Sequence, residues 1–162
     1  MNTNDLVDLV TLLDYQSKEQ YRTILILGLP NSGKTKFAKL LTQKTKAKYI
    51  DLLDVFLNNK NMSENIDTFD VSSFKKYLLS LPASEDVIIV DNIDFLLNTW
   101  SDRQKGEFLN LVEKLRSIES GKTFCIFAQD SKSLVSKQIY NSQNTSRVLT
   151  MNHIAHIKDD TK

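Results

Sequence analysis

The chain has 162 residues, 41% hydrophobic and 25% charged, the proportions of one soluble globular domain. Its 21 basic and 20 acidic residues leave a net charge of +1, too balanced for a protein held on nucleic acid by bulk electrostatics, although a local DNA-binding patch stays open. The single cysteine, Cys125, excludes a disulfide framework and a four-cysteine zinc site. No apolar run nears the ~18 residues of a membrane span, and Met1-Asn2-Thr3-Asn4-Asp5 lacks the basic start of a signal peptide, so a cytoplasmic protein without membrane contact is expected.

Along the chain, Leu6, Leu9, Val10 and Leu13 recur at helical spacing after Asn4, a candidate cap, which places a helix within residues 1–20. An α/β core follows over 23–151. Thr23 to Leu27 is a continuous apolar run, the mark of a strand buried on both faces. A helix bearing Phe37, Leu40 and Leu41 leads to a second strand around Tyr49 to Leu52. The polar stretch from Asn58 to Asp70 reads as a loop or mobile insert. Ser72 then caps a helix with Phe74, Tyr77, Leu78 and Leu81 on one face, stopped by Pro82. Val87 to Val90 is the third buried strand, expected beside the first. One helix is expected from about Asp102 to Ser120, ended by Gly121. Thr123 to Ala128 is the fourth strand, a helix starts at Ser131 or Ser133, Arg147 to Met151 is the fifth strand, and 152–162 is a polar tail. Strands alternating with helices imply a five-stranded, mostly parallel sheet flanked by helices, in a single domain over 1–162.

Four glycines and two prolines are all the chain contains, and Gly28, Pro30 and Gly33 fall within six residues. Gly28-Leu29-Pro30-Asn31-Ser32-Gly33-Lys34-Thr35 is a complete G-x-x-x-x-G-K-[ST] phosphate loop between a strand and a helix. Its glycines let successive N–H groups point at phosphate oxygens, and the helix that starts there, Lys36 in its first turn, adds the positive end of its dipole. Lys34 can reach the outer phosphates of ATP, and the Thr35 hydroxyl can hold Mg²⁺. Val87-Ile88-Ile89-Val90-Asp91 is an apolar strand ending in an acid, and Asp91 can orient Mg²⁺ through water.

With these motifs, residues 23–151 resemble the core of the AAA+ and related P-loop ATPases. Asp91-Asn92-Ile93-Asp94 resembles the D-E-x-D region of that group, with Asn92 at the position of the catalytic glutamate. An amide can orient water but cannot take its proton. The resemblance gives Asp94 two readings, a substitute base or a cap of the next helical turn. It puts Gln129 at the position of a γ-phosphate sensor, beside the reading of a solvated strand-end glutamine. Ser146-Arg147 resembles the pair whose arginine enters a neighbouring subunit's site, Arg103 and Arg116 being reserves; a solvent-facing arginine is the alternative. The core has no room for a C-terminal helical lid. A lidless core of this size is similar to the BrxF family of small P-loop proteins of BREX phage-defence systems. That likeness implies a homo-oligomer or partners within a defence complex.

Three functions are open at this point: a slow or partner-stimulated, Mg²⁺-dependent ATPase acting as a switch or motor component; a non-hydrolysing, ATP-dependent binding module, which Asn92 favours; and a small-molecule kinase. Four arginines with no lid cluster count against the kinase. Lys36, Lys39, Lys44, Lys46 and Lys48 read as a solvated helix face or, alternatively, a phosphate-contacting patch. Trp100 reads as a packing anchor and Cys125 as an inert core thiol. Two histidines, His153 and His156, leave little for histidine catalysis.

Overall fold

Short apolar runs flanked by turn residues form the strands, and amphipathic stretches between them cover both faces. The computed structural model describes residues 6–158. Helix α1 (Leu9–Gln16) is capped by Asp8, whose carboxylate accepts from the N–H groups of Val10 and Thr11. The cap expected at Asn4 lies outside the described residues. Strand β1 (Ile24–Gly28) runs into helix α2 (Lys34–Thr45), then β2 (Lys48–Asp51). The segment read as a loop is helical in part. After α3 (Leu52–Leu57), Asn59 caps α4 (Lys60–Glu64) by accepting from the Met62 N–H, and a 3-10 turn spans Ile66–Thr68. Because α4 buries no side chain, its composition is that of a loop.

Helix α5 (Val71–Leu79) is capped by Asp70, not Ser72. Strand β3 (Val87–Asp91) precedes α6 (Asp94–Thr99). The long helix expected next is two, α7 (Asp102–Lys114) and α8 (Ser117–Ser120). Tyr21 and Arg116 form a β-bridge at the break, and the Ser117 N–H donates to the Gln20 carbonyl at 2.6 Å. Pairing with the segment before β1 thus takes up groups that a continuous helix would have used. Gly121 stops α8 in the left-handed conformation, φ 68°. Strand β4 (Thr123–Gln129), the short α9 (Lys132–Val135) capped by Ser131, and β5 (Val148–Thr150) complete the order. A 3-10 turn, Met151–His153, follows β5, and no α-helix follows it among the described residues.

The sheet order is β2-β3-β4-β1-β5, every pairing parallel. The third strand therefore does not lie beside the first: β4 separates them, Cys125 pairing with Ile24 on one side and Ile89 on the other. Six consecutive buried residues suit β4 to this inner position. Alternate residues feed two cores. Leu25, Leu27, Ile88, Val90 and Ile126 pack under α3 and α5–α7, while Ile24, Ile26, Ile89 and Phe127 pack under α1 and α2. Trp100 is the expected anchor, 4% exposed, wedged against Phe74 and Phe108 with its indole N–H donating to the Phe69 carbonyl. Burial pushes the Cys125 thiol pKa up, so it stays protonated. The result is the α/β P-loop NTPase fold: a five-stranded parallel sheet with helices on both faces.

Candidate functional site

Parallel pairing brings Gly28, Asp91, Gln129 and Thr150 to one end of the sheet. The first loop there could be built only with glycine at its entry. A Cβ on Gly28 would lie 2.7 Å from both Met151 Cγ and Ser32 Oγ. At the exit, Gly33 has φ +86°, a left-handed backbone that side chains disfavour. Asn31 turns the loop with φ 61°, as asparagine tolerates. No side chain caps α2, so its first N–H groups take no acceptor from a side-chain cap. Leu29, Pro30, Asn31, Ser32 and Lys36 are exposed, while Lys34 and Thr35 are half-buried. Lys34 folds over the loop and donates to the carbonyls of Gly28 (3.3 Å) and Leu29 (3.0 Å).

Asp91 is 1% exposed at the end of β3. Its Oδ2 accepts from the Thr35 hydroxyl at 2.7 Å, joining phosphate loop to acidic strand across 56 positions of sequence. The same oxygen accepts from the Tyr49 hydroxyl at 2.8 Å, and Oδ1 accepts from the Asn92 N–H. Tyr49, on β2, was not foreseen, and no local pattern marks it; only the register of β2 on β3 brings it there. Burial, then the charge and hydrogen bond of Asp91, push its phenol pKa up and hold the proton on it. Lys39 sits 5.8 Å from the centre of the Tyr49 ring. A hydroxyl and a carboxylate are the hard oxygen donors that Mg²⁺ prefers, and Mg²⁺ takes few protein ligands beside phosphate and water. Among the described residues no group of three or more acidic, histidine or cysteine side chains forms a metal cage.

The other expected residues part company. Gln129 ends β4 level with Gly28, exposed, and its N–H donates to Asp94 Oδ1 at 2.7 Å. Asp94, the first residue of α6, thus ties the end of β3 to the end of β4 instead of capping its own helix. Asn92 holds a left-handed backbone, φ 58°, which gives an asparagine there a structural reason.

Arg147 requires a correction. It stands at the start of β5, the end of the sheet away from the phosphate loop, and is 3% exposed. Its guanidinium donates to the carbonyls of Thr23, Val112 and Glu113, with Tyr21 stacked 6.0 Å away. Burial lowers its pKa, opposed by the charges of Glu113 and Glu19. It is neither an arginine presented to a neighbouring subunit nor a solvent-facing one: three main-chain carbonyls use its fork-shaped donor set. Arg103, by contrast, is exposed beside Glu107 on α7.

Beside the phosphate loop lies a cavity of about 370 Å³, walled by Leu27 and Leu29, by Asp130 after β4, and by Met151, Asn152 and His153 after β5. Sequence reasoning passed over these last residues; the only available signal was their position after the final strand. One oxygen of Asp130 is buried there without a hydrogen-bond partner. No helix among the described residues is long and apolar enough to cross a membrane.

No curated protein matches the chain. The family model described as "ATPase family associated with various cellular activities (AAA)" matches residues 24–153, the stretch from β1 to the turn after β5. Phosphate loop, buried acid and matched span agree: the chain belongs to the AAA family of nucleotide-binding P-loop ATPases.

Proposed function

We propose that the protein binds ATP with Mg²⁺ and hydrolyses it slowly on its own, as a switch or motor component that a partner stimulates. The observation that carries this reading is the hydrogen bond between Thr35 and Asp91, which sets a hydroxyl and a carboxylate side by side at the start of α2. Lys34 would exchange its two carbonyl acceptors for outer phosphate oxygens, a stronger charge-assisted pairing. Thr35 and, through water, Asp91 would hold the magnesium ion, whose chemistry is to neutralise charge on the phosphates. Slow turnover follows from Asn92: no carboxylate occupies that position, and Asp94 has one oxygen committed to Gln129. Gln129 would read the outermost phosphate.

The cellular setting rests on the likeness to the small P-loop proteins of phage-defence systems, with work in the cytoplasm in a homo-oligomer or alongside other defence proteins. Arg103, exposed on α7, and Arg116, exposed just before α8, are the arginines left for a neighbour's site. A non-hydrolysing binding module is the second reading, favoured by the left-handed Asn92. Phosphate release from ATP, with Mg²⁺ and with EDTA, over a range of protein concentrations, tests all of this. A low rate that needs Mg²⁺ and rises per molecule with concentration is expected. Release indifferent to EDTA would refute the ATPase reading, and transfer of label to a small-molecule acceptor would make the protein a kinase.

A further inference from the structure

Charge in this chain is segregated. Residues 20–50 hold seven basic side chains and no acidic one, so the remaining residues carry −6 within the total of +1. A near-neutral whole therefore contains a strongly basic segment, and α2 turns part of it outward. At 3.6 residues per turn, Lys36, Lys39, Gln43 and Lys46 fall within about 80° of one another around the helix. All four are exposed, and they extend along about 15 Å of its axis. The other side of α2 buries Phe37, Ala38 and Leu41 in the core, which fixes the stripe as a rigid face. Half-buried Lys48 follows on β2, the edge strand of the sheet.

These cations keep their bonding capacity. Lys36, Lys39, Lys46 and Lys48 make no ion pair among the described residues, whereas Lys18, Lys60 and Lys114 each lie beside a carboxylate. Lys39 has only the Tyr49 ring beneath it. Asp51, the acid that ends β2, has an oxygen occupied by the Asp54 N–H as the cap of α3. The chemistry of the stripe narrows its partner. None of the large apolar side chains exposed among the described residues lies on α2 or β2, and a lysine face without an apolar centre is unlike a protein–protein interface. The stripe carries no exposed aromatic ring, the platform on which single strands stack. With one amide, Gln43, beside its lysines, it has little to read the 2′-hydroxyls through which duplex RNA is recognised. Ammonium groups in a row suit the evenly spaced phosphates of duplex DNA, contacted without regard to sequence.

We infer that the lysine stripe of α2, continued by Lys48, is a docking surface for the phosphate backbone of duplex DNA. Fluorescence anisotropy of a short labelled DNA duplex tests it, without nucleotide, so that the outcome is independent of the ATP-binding reading. Four neutralised phosphates require the wild-type affinity to fall about a hundredfold between about 50 and 200 mM salt, a logarithmic slope of about −3 to −4. Lys39→Gln/Lys46→Gln/Lys48→Gln leaves the phosphate loop and Lys36 in place; its slope should shrink to about −1, with at least tenfold weaker binding at low salt. Lys18→Gln/Lys60→Gln/Lys114→Gln makes the same change in net charge elsewhere on the surface and should bind as the wild type does. Melting temperatures check that both variants are folded. Should the first be unfolded, Lys39→Gln alone takes its place and should lower the slope by about one. A wild type that leaves the duplex unbound at low salt, or a slope shallower than about −2, would overturn the docking surface. So would an unaltered affinity in the stripe variant, or an equal loss in the control, which would reduce the effect to net charge. Equal or tighter binding of a single strand, of duplex RNA or of phosphatidylserine vesicles would overturn duplex DNA as the partner.

Discussion

Lys34 and Arg147 stand at opposite ends of the same sheet, and both donate to main-chain carbonyls. Lys34 meets two carbonyls of its own loop, at 3.0 and 3.3 Å, from a half-buried side chain. Arg147 meets three carbonyls on two other segments, Thr23 before β1 and the pair Val112 and Glu113 on α7, from a side chain that is almost fully buried. The first set of bonds is local and open to solvent, so a phosphate can replace it. The second joins distant segments and is already spent on holding them together. A cation near a sheet end is therefore not evidence for a site until its remaining bonding capacity is known.

The strongest way to break that contrast is to truncate each cation. Arg147→Ala strands three carbonyls and should cost about 3 kcal/mol of stability or more, since hydrogen bonds to charged groups are among the stronger ones. Arg147→Lys should recover only part, because a single ammonium cannot span the same fork. Urea midpoints measure both, and a midpoint within error of the wild type for Arg147→Ala would restore it as a free functional arginine. Next in size, Lys34→Ala should weaken ATP binding at least tenfold, about 1.4 kcal/mol, while leaving the urea midpoint in place. The two variants should thus fail in opposite assays.

Asp91→Asn sharpens the picture within the site. The shape is kept and the charge removed, so the ratio of ATP affinities with Mg²⁺ and with EDTA should fall toward one, read by calorimetry. A ratio that survives would take Asp91 out of magnesium binding. Asn92→Gly should be neutral or stabilising and Asn92→Glu destabilising by about 1 kcal/mol, because only the latter forces an ordinary side chain into a left-handed backbone. If Asn92→Glu nevertheless raises phosphate release, the missing carboxylate is what limits turnover.

The smallest effect concerns acid, and it lies away from both ends. Hydrogen bonds from Ser73 hold the Asp70 carboxyl below its ordinary pKa, and hydrogen bonds from Ser142 do the same for Glu19. A carboxyl whose folded pKa is depressed binds fewer protons folded than unfolded. Its contribution is thus present above about pH 4 and lost as the pH falls through the lower, folded values. Asp70→Ala should remove about 1 kcal/mol at neutral pH as a lost helix cap, and should flatten the acid side of the stability curve. Parallel acid limbs for variant and wild type would show that the cap does not work through its charge.

Fold class and phosphate loop were legible along the chain because their signals are local. Buried strands are unbroken apolar runs, and the loop needs glycine at two fixed positions for reasons of sterics and φ. Asp91 was legible because it ends such a run. Elements whose cause is a long-range contact were not. Helix α7 stops where Tyr21 and Gln20 pair with the next residues, and α4 looks like a loop because it buries nothing.

The site divides in the same way. Sequence alone determined which residues could cradle a phosphate, since that chemistry sits in eight consecutive positions. Tertiary structure alone decided their company: β4 inserted between β1 and β3, Tyr49 brought onto Asp91, and the turn after β5 packed on Gly28. It also decided the fate of Arg147, whose neighbours in sequence say nothing of the three carbonyls around it. The physical reason is one of range. Backbone conformation is dictated by a residue and its immediate neighbours, whereas burial, and with it the bonding left to a charge, depends on which distant segments the sheet order brings alongside.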